Sequence, residues 1–211
     1  MKKDRFIKIF TDYFFRNRIL FILTAFCVLA GMIIGSLSAV SIKDQRFDAL
    51  GEYLNNFLSA YGIQSAKRSE VFAFSLYTNI KILLFMWASG LWVGFIPFGL
   101  LQLGIKGYKL GFTAAFLVQL YGGKGILLVL VSLLPQVMIL FPALMFYAVF
   151  NLKFAIELRR IRLRGKLPDK EVYFKNFLAL LFVLIILVLC SLVDSFIVPT
   201  VIKPVSLFLR G

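Results

Sequence analysis

KLGFTAAFLVQLYGGK, residues 109–124, is the stretch on which the topology turns. Between its two lysines lie 14 uncharged residues, Leu110–Gly123. A helix needs about 20 apolar residues to cross a ~30 Å hydrocarbon core. This segment crosses only if Lys109 and Lys124 carry their ammonium groups to opposite interfaces. Outward from it lie four longer charge-free runs: Ile19–Ile42 (24 residues), Ile82–Ile105 (24), Gly125–Leu152 (28) and Asn176–Val193 (18). The first three are long enough outright. The last becomes so when the apolar residues after Asp194, up to Pro199, are added.

Charge settles the short segment. Residues 1–18 carry six Lys/Arg and residues 153–175 carry eight, so both belong on the cytoplasmic side. An even number of crossings must separate them. Counting 109–124 as a crossing gives four. Treating it as re-entrant gives three and strands eight basic residues outside. A two-crossing path needs the 24-residue run Ile82–Ile105 to be re-entrant as well. The expectation is an all-α polytopic membrane protein with five transmembrane helices, a cytoplasmic N-terminus and an extracytoplasmic C-terminus. The spans fall at about 19–42, 78–105, 108–123, 125–152 and 176–199 within one integral-membrane domain. Lys106 and Lys109 then occupy a short cytoplasmic loop, and 153–175 is a basic cytoplasmic loop.

Composition agrees. Hydrophobic residues make up 61% of the 211 and charged residues only 16%, with a mean hydropathy of +0.90. Soluble domains are roughly 45–50% apolar and about a quarter charged. The alternation of a membrane β-barrel is missing, and disorder is excluded by the same arithmetic. There is no His, which removes His-based triads, metal sites and pH switches. Cys27 and Cys190 lie far apart in apolar runs and read as small hydrophobes, not a disulfide framework. The net charge of +14 clusters beside apolar runs, so it points to membrane lipids and topology, with no nucleic-acid partner. The first apolar run exceeds a signal-peptide core of about 7–15 residues and is expected to remain as an anchor.

Outside the spans, residues 4–18 place Phe6, Phe10, Tyr13, Phe14 and Asn17 on one face, fitting either an in-plane interfacial helix or an extension of the first span. Segment 44–61 is an outer amphipathic helix, with Phe47, Leu50, Leu54, Phe57 and Tyr61 recurring at steps of three and four. That stripe must be buried on lipid, on the chain's own spans, or by a partner, which makes these five the candidate partner-binding residues. Residues 157–170 form a basic segment broken by Gly165 and Pro168.

Inside the spans, Gly31 and Gly35, and again Gly90 and Gly94, are GxxxG pairs that let helix backbones approach, either within the chain or in a homo-oligomer. Pro97, Pro135 and Pro142 are expected to kink their helices. Gln136 either hydrogen-bonds a freed backbone group or lines a midplane substrate site. Lys81 and Asp194 approach the same leaflet and form a candidate membrane-edge ion pair, with Lys124 as a competing partner and snorkelling lysines beside a wet Asp194 as the bland alternative. The residues offer no catalytic constellation, no cofactor site and no metal site; the chain is not expected to be an enzyme.

From Asn79 to Pro142 the sequence reads NxKILLFMWxxGLxxGxxP, then KGYKLGF, GGKGI and LLPQxxxxFP. In order, spacing and total length this resembles the stage II sporulation protein M family. One departure is Gly107-Tyr108 where the family pattern has Gly-Phe, a conservative change. The resemblance implies a mother-cell membrane protein at the sporulation septum. It implies partnership with stage II sporulation proteins D and P, which degrade peptidoglycan during septal thinning and engulfment, the M protein being their membrane scaffold. No catalytic residues come with the resemblance. The competing reading from the residues is a small transporter or channel, working as a homo-oligomer if need be, with Gln136, Lys81 and Asp194 along its path.

Overall fold

A computed structural model describes residues 12–63, 68–91, 96–165 and 167–210; side chains at 57–63, 68, 96, 134–136 and 197–210 lie outside that description. Among the described residues the chain is all-helical. Seven main helices follow in order: α1 (Arg18–Val40), α2 (Asp44–Ile63), α3 (Arg68–Leu91), α4 (Ile96–Tyr121), α5 (Gly123–Ser132), α6 (Leu134–Leu163) and α7 (Lys170–Arg210). Four stretches, Arg18–Val40, Ser69–Leu91, Val137–Leu163 and Lys170–Phe196, are long and apolar enough to cross a membrane.

The bundle is turned inside out relative to a soluble protein. Ile22, Phe26 and Ile33 on α1, Phe74 and Phe85 on α3, and Phe182, Ile185 and Leu189 on α7 face outward. Asn79, Asn151, Asn176, Ser191 and Asp194 are buried. Between the helices Leu83, Met86, Leu103, Leu144, Tyr147 and Leu187 form a closed apolar core. Hydroxyls within helices return to their own backbone: Thr24 donates to Phe21 O, Ser38 to Ile34 O and Thr78 to Phe74 O. That satisfies them without water.

The two boundaries nearest the decisive stretch differ from the sequence expectation. No loop occurs at Lys106–Lys109; α4 runs unbroken from Ile96 to Tyr121. The expected boundary between 78–105 and 108–123 is therefore absent: residues 96–105 belong to the same helix as 108–121. At about 1.5 Å per residue, the 26 residues of α4 extend about 39 Å. Its two lysines drew the eye to a turn, whereas the helix is held together by what its glycines touch. A Cβ on Gly31 would run into Gly104 O, and one on Gly35 into Tyr108 O. In return, Gly107 abuts Val28 O and Gly111 abuts Met32 O, and Ser36 donates to Gly111 O at 3.2 Å. The paired numbers rise together, so α1 and α4 are parallel and in backbone contact along their length.

Gly122 ends α4 at φ 56°, a left-handed turn that glycine takes without strain. α5 then folds back on α4, Gly125 sitting against Leu117 O. The expected span 125–152 is one helical path with a one-residue break at Leu133, which keeps helical geometry (φ −95°, ψ −34°), donates to Val129 O and accepts from Val137 N–H. Pro135 lies in the first turn of α6, where a missing N–H costs nothing. The helix continues well past Leu152, because Phe154, Ala155 and Leu158 are all buried against the bundle. The expected basic loop 153–175 is thus mostly helix, and only residues 164–169 separate α6 from α7. At the N-terminal end, a turn at Asn17 separates the helical residues 12–16 from α1.

Candidate functional site

The continuity of α4 carries Lys106 into the bundle. Its ammonium donates to Asn79 Oδ1 of α3 at 3.0 Å. Asn79 Nδ2 reaches Ser191 Oγ of α7 and Ser75 Oγ, each at 3.4 Å. Ser75 in turn donates to Asp194 Oδ2 at 2.6 Å and lies 3.3 Å from Ser191 Oγ. Asn79, Ser191 and Asp194 are buried; Ser75 and Lys106 are half-buried. One cation and one carboxylate are joined through an amide and two hydroxyls, and Asp194 lies within Coulombic reach of Lys106. Each charge offsets the desolvation of the other, which is what ionisable groups among apolar helices require.

Lys81 is not the lysine of this network. It is two residues beyond Asn79, about 200° round the helix, and is exposed. Asn79 and Ser75, four apart, share the face of α3 that meets α7. Lys106 was missed because the pair Lys106/Lys109 read as a loop. The signal that finds it is Gly104-x-x-Gly107-x-x-x-Gly111, one small-residue face running straight through the supposed turn.

A second polar layer lies on the side of the core where α3 ends and α7 begins. Asn151 Nδ2 of α6 donates to Met86 O of α3, and Asn176 Nδ2 of α7 lies 3.5 Å from Asn151 Oδ1. Gly90 is the residue that admits Asn151: a Cβ there would overlap its amide. The gap beside them, lined by Met86, Ser89, Gly99 and Ala148, measures about 10 Å³, enough for roughly one water.

Of the other expected landmarks, Pro97 is the second described residue of α4, next to residues 92–95 that lie outside the description, and Pro135 lies two residues beyond the one-residue break at Leu133, where the helical path from α5 into α6 is interrupted. Pro142 is inside α6, on its exposed side. Gly94 lies outside the described residues, as do the side chains of Pro135, Gln136, Phe57 and Tyr61. Among the described residues no group of three or more Cys, Asp or Glu side chains could hold a metal.

The amphipathic helix α2 is docked on the chain itself. The Phe47 ring packs on Phe116 of α4 at 5.2 Å between centroids. Gly51 is buried against Leu120, and Tyr121 donates its hydroxyl to Asn55 Oδ1 at 2.7 Å. Leu54 is half-buried, whereas Leu50 and Tyr53 remain exposed.

The sequence profile described as Stage II sporulation protein M matches residues 21–199. No curated protein and no solved structure matches the chain.

Proposed function

The chain belongs to the stage II sporulation protein M family and is a sporulation-related membrane protein; from that premise we propose that it is the integral-membrane scaffold for peptidoglycan-degrading partners at the sporulation septum. In this reading it sits in the mother-cell membrane and performs no catalysis. Stage II sporulation proteins D and P do the chemistry of septal thinning and engulfment, and this chain holds them in place.

The observation that supports the reading best is the anchorage of α2. Phe47, Gly51 and Asn55 fix one side of the helix on the C-terminal end of α4. The other side, with Leu50, Glu52 and Tyr53, is left exposed in a fixed orientation. A scaffold needs such a rigid, partly apolar ledge.

The topology that goes with it has five crossings: α1, α3, α4, the α5–α6 pair, and α7. Because α1 and α4 are parallel, α3 between them must return. With the N-terminal and 153–175 basic clusters both cytoplasmic, α2 and the C-terminus are extracytoplasmic, on the side where a wall hydrolase works.

One observation favours the rival transport reading: an ammonium and a carboxylate share a network inside the bundle. Against it, buried apolar side chains, Leu83, Met86 and Leu103, fill the core that α3 and α4 share with the network.

Pull-down of the tagged full chain from sporulating cells in mild detergent tests the proposal. Proteins D and P are expected to come with it, and Leu50→Ser combined with Tyr53→Ser should reduce their recovery at unchanged chain level. A partner-free chain that conducts ions in liposomes, with conduction lost in Lys106→Met, would overturn the scaffold reading in favour of transport.

A further inference from the structure

At the basic end of the bundle a cavity of about 180 Å³ opens between residues 12–16, α6 and α7. Its walls are Tyr13, Phe150, Lys153, Phe154, Val172 and Lys175, with Glu157 at the same opening. Lys153 Nζ stands 5.1 Å above the Tyr13 ring, and the Arg16 charge reaches it. The Tyr13 hydroxyl is buried and has no hydrogen-bond partner among the described residues. Burial holds that phenol in its protonated form, raising its pKa despite the opposing influence of Arg16, so it remains a donor. Lys175 gives one of its three N–H groups to Glu171 at 2.8 Å and keeps two. Of the charged residues that line the cavity, Lys153 and Lys175 stand against Glu157, a surplus of one positive charge.

We propose that this cavity is a binding site for the phosphodiester headgroup of an anionic phospholipid. The surplus charge matches a phosphodiester monoanion. The Tyr13 hydroxyl and the Lys153 and Lys175 ammonium groups supply its donors. Phe150, Phe154 and Val172 give the acyl chains an apolar wall at the edge of the hydrocarbon. That wall is what a lipid uses and a free phosphate ion does not. Basic clefts between helices at a membrane interface are suited to this chemistry. The bound lipid would tie the N-terminal residues to α6 and α7, and the inference stands whether or not the chain acts as a scaffold.

The test is lipid titration of the full chain in detergent, read by native mass spectrometry. Dioleoyl-phosphatidylglycerol, dioleoyl-phosphatidylcholine and inorganic phosphate serve as the three probes. One phosphatidylglycerol is expected to bind in preference to phosphatidylcholine, undisturbed by millimolar phosphate. Lys153→Gln and Lys175→Gln should each weaken it about fivefold, and Tyr13→Phe, which keeps the ring and the fold, by a few-fold. Lys170→Gln, which does not line the cavity, should leave binding unchanged. Equal binding of both lipids, equal weakening by Lys170→Gln, or no effect of Tyr13→Phe would overturn the site. Displacement of the lipid by phosphate would identify a free-anion site and overturn the lipid assignment.

Discussion

Lys106 and Asp194 are the residues that the bundle had to accommodate, and their energetics are predictable. Removing one member of a buried, charge-balanced network leaves the other uncompensated, at a cost of about 3–5 kcal/mol in water-soluble cores. Lys106→Leu or Asp194→Leu alone is therefore expected to lower the thermal midpoint of the detergent-solubilised chain markedly. The double variant should recover part of the loss, with a coupling of about 0.5–3 kcal/mol. A thermal-unfolding double-mutant cycle checks this; strict additivity would mean that the two charges are independent. Lys81→Leu, on the exposed side of α3, should change the midpoint little.

At the scale of elements, the close contact of α1 with α4 explains which glycines matter. Gly31→Val and Gly111→Val push side-chain atoms into the facing backbone and should destabilise by at least about 1–3 kcal/mol, the usual cost of overpacking. Gly123→Ala, with nothing within 4 Å of the added Cβ, is the control and should be silent in the same melting assay. Gly51→Leu clashes with Leu120 and should loosen α2. Amide hydrogen exchange should then rise across Asp44–Asn56 while α1 stays protected; unchanged protection there would show that α2 is held by other contacts. The same elements mark what was legible in the sequence. Long charge-free runs such as Ile19–Ile42 and the three-and-four spacing of Phe47, Leu50 and Leu54 announce their helices directly, because apolar length and periodicity are local properties. The path of α4 was not legible that way. Lys106 donates to Asn79 and is balanced in charge by Asp194, 27 and 88 residues away in sequence, and no local pattern reports such partners. Lys81 looked equally suited to Asp194 until the rotation of α3 was known. The basic segment 153–163 read as a loop because its charges outweighed, by eye, the buried Phe154, Ala155 and Leu158.

For the whole molecule, the proposed topology is open to a direct check. With Cys27 and Cys190 replaced by Ser, single cysteines at Asp48 and Gly165 should be labelled from opposite sides of the membrane by an impermeant maleimide. A cysteine in place of Lys109, midway along α4 and outside its glycine contacts with α1, should be inaccessible from either side, and labelling there from the cytoplasm would restore the loop and remove α4 as a crossing. The scaffold proposal rests at this scale on one helix, α2, docked on the end of α4 with its other side exposed. The most direct test of that role is binding by purified components: the full chain in nanodiscs against purified extracytoplasmic portions of stage II sporulation proteins D and P. Saturable binding that is weakened at least tenfold by Leu50→Ser with Tyr53→Ser, and untouched by Lys153→Gln, is the predicted result. Absence of binding by a correctly folded chain with intact α2 protection would contradict the scaffold role.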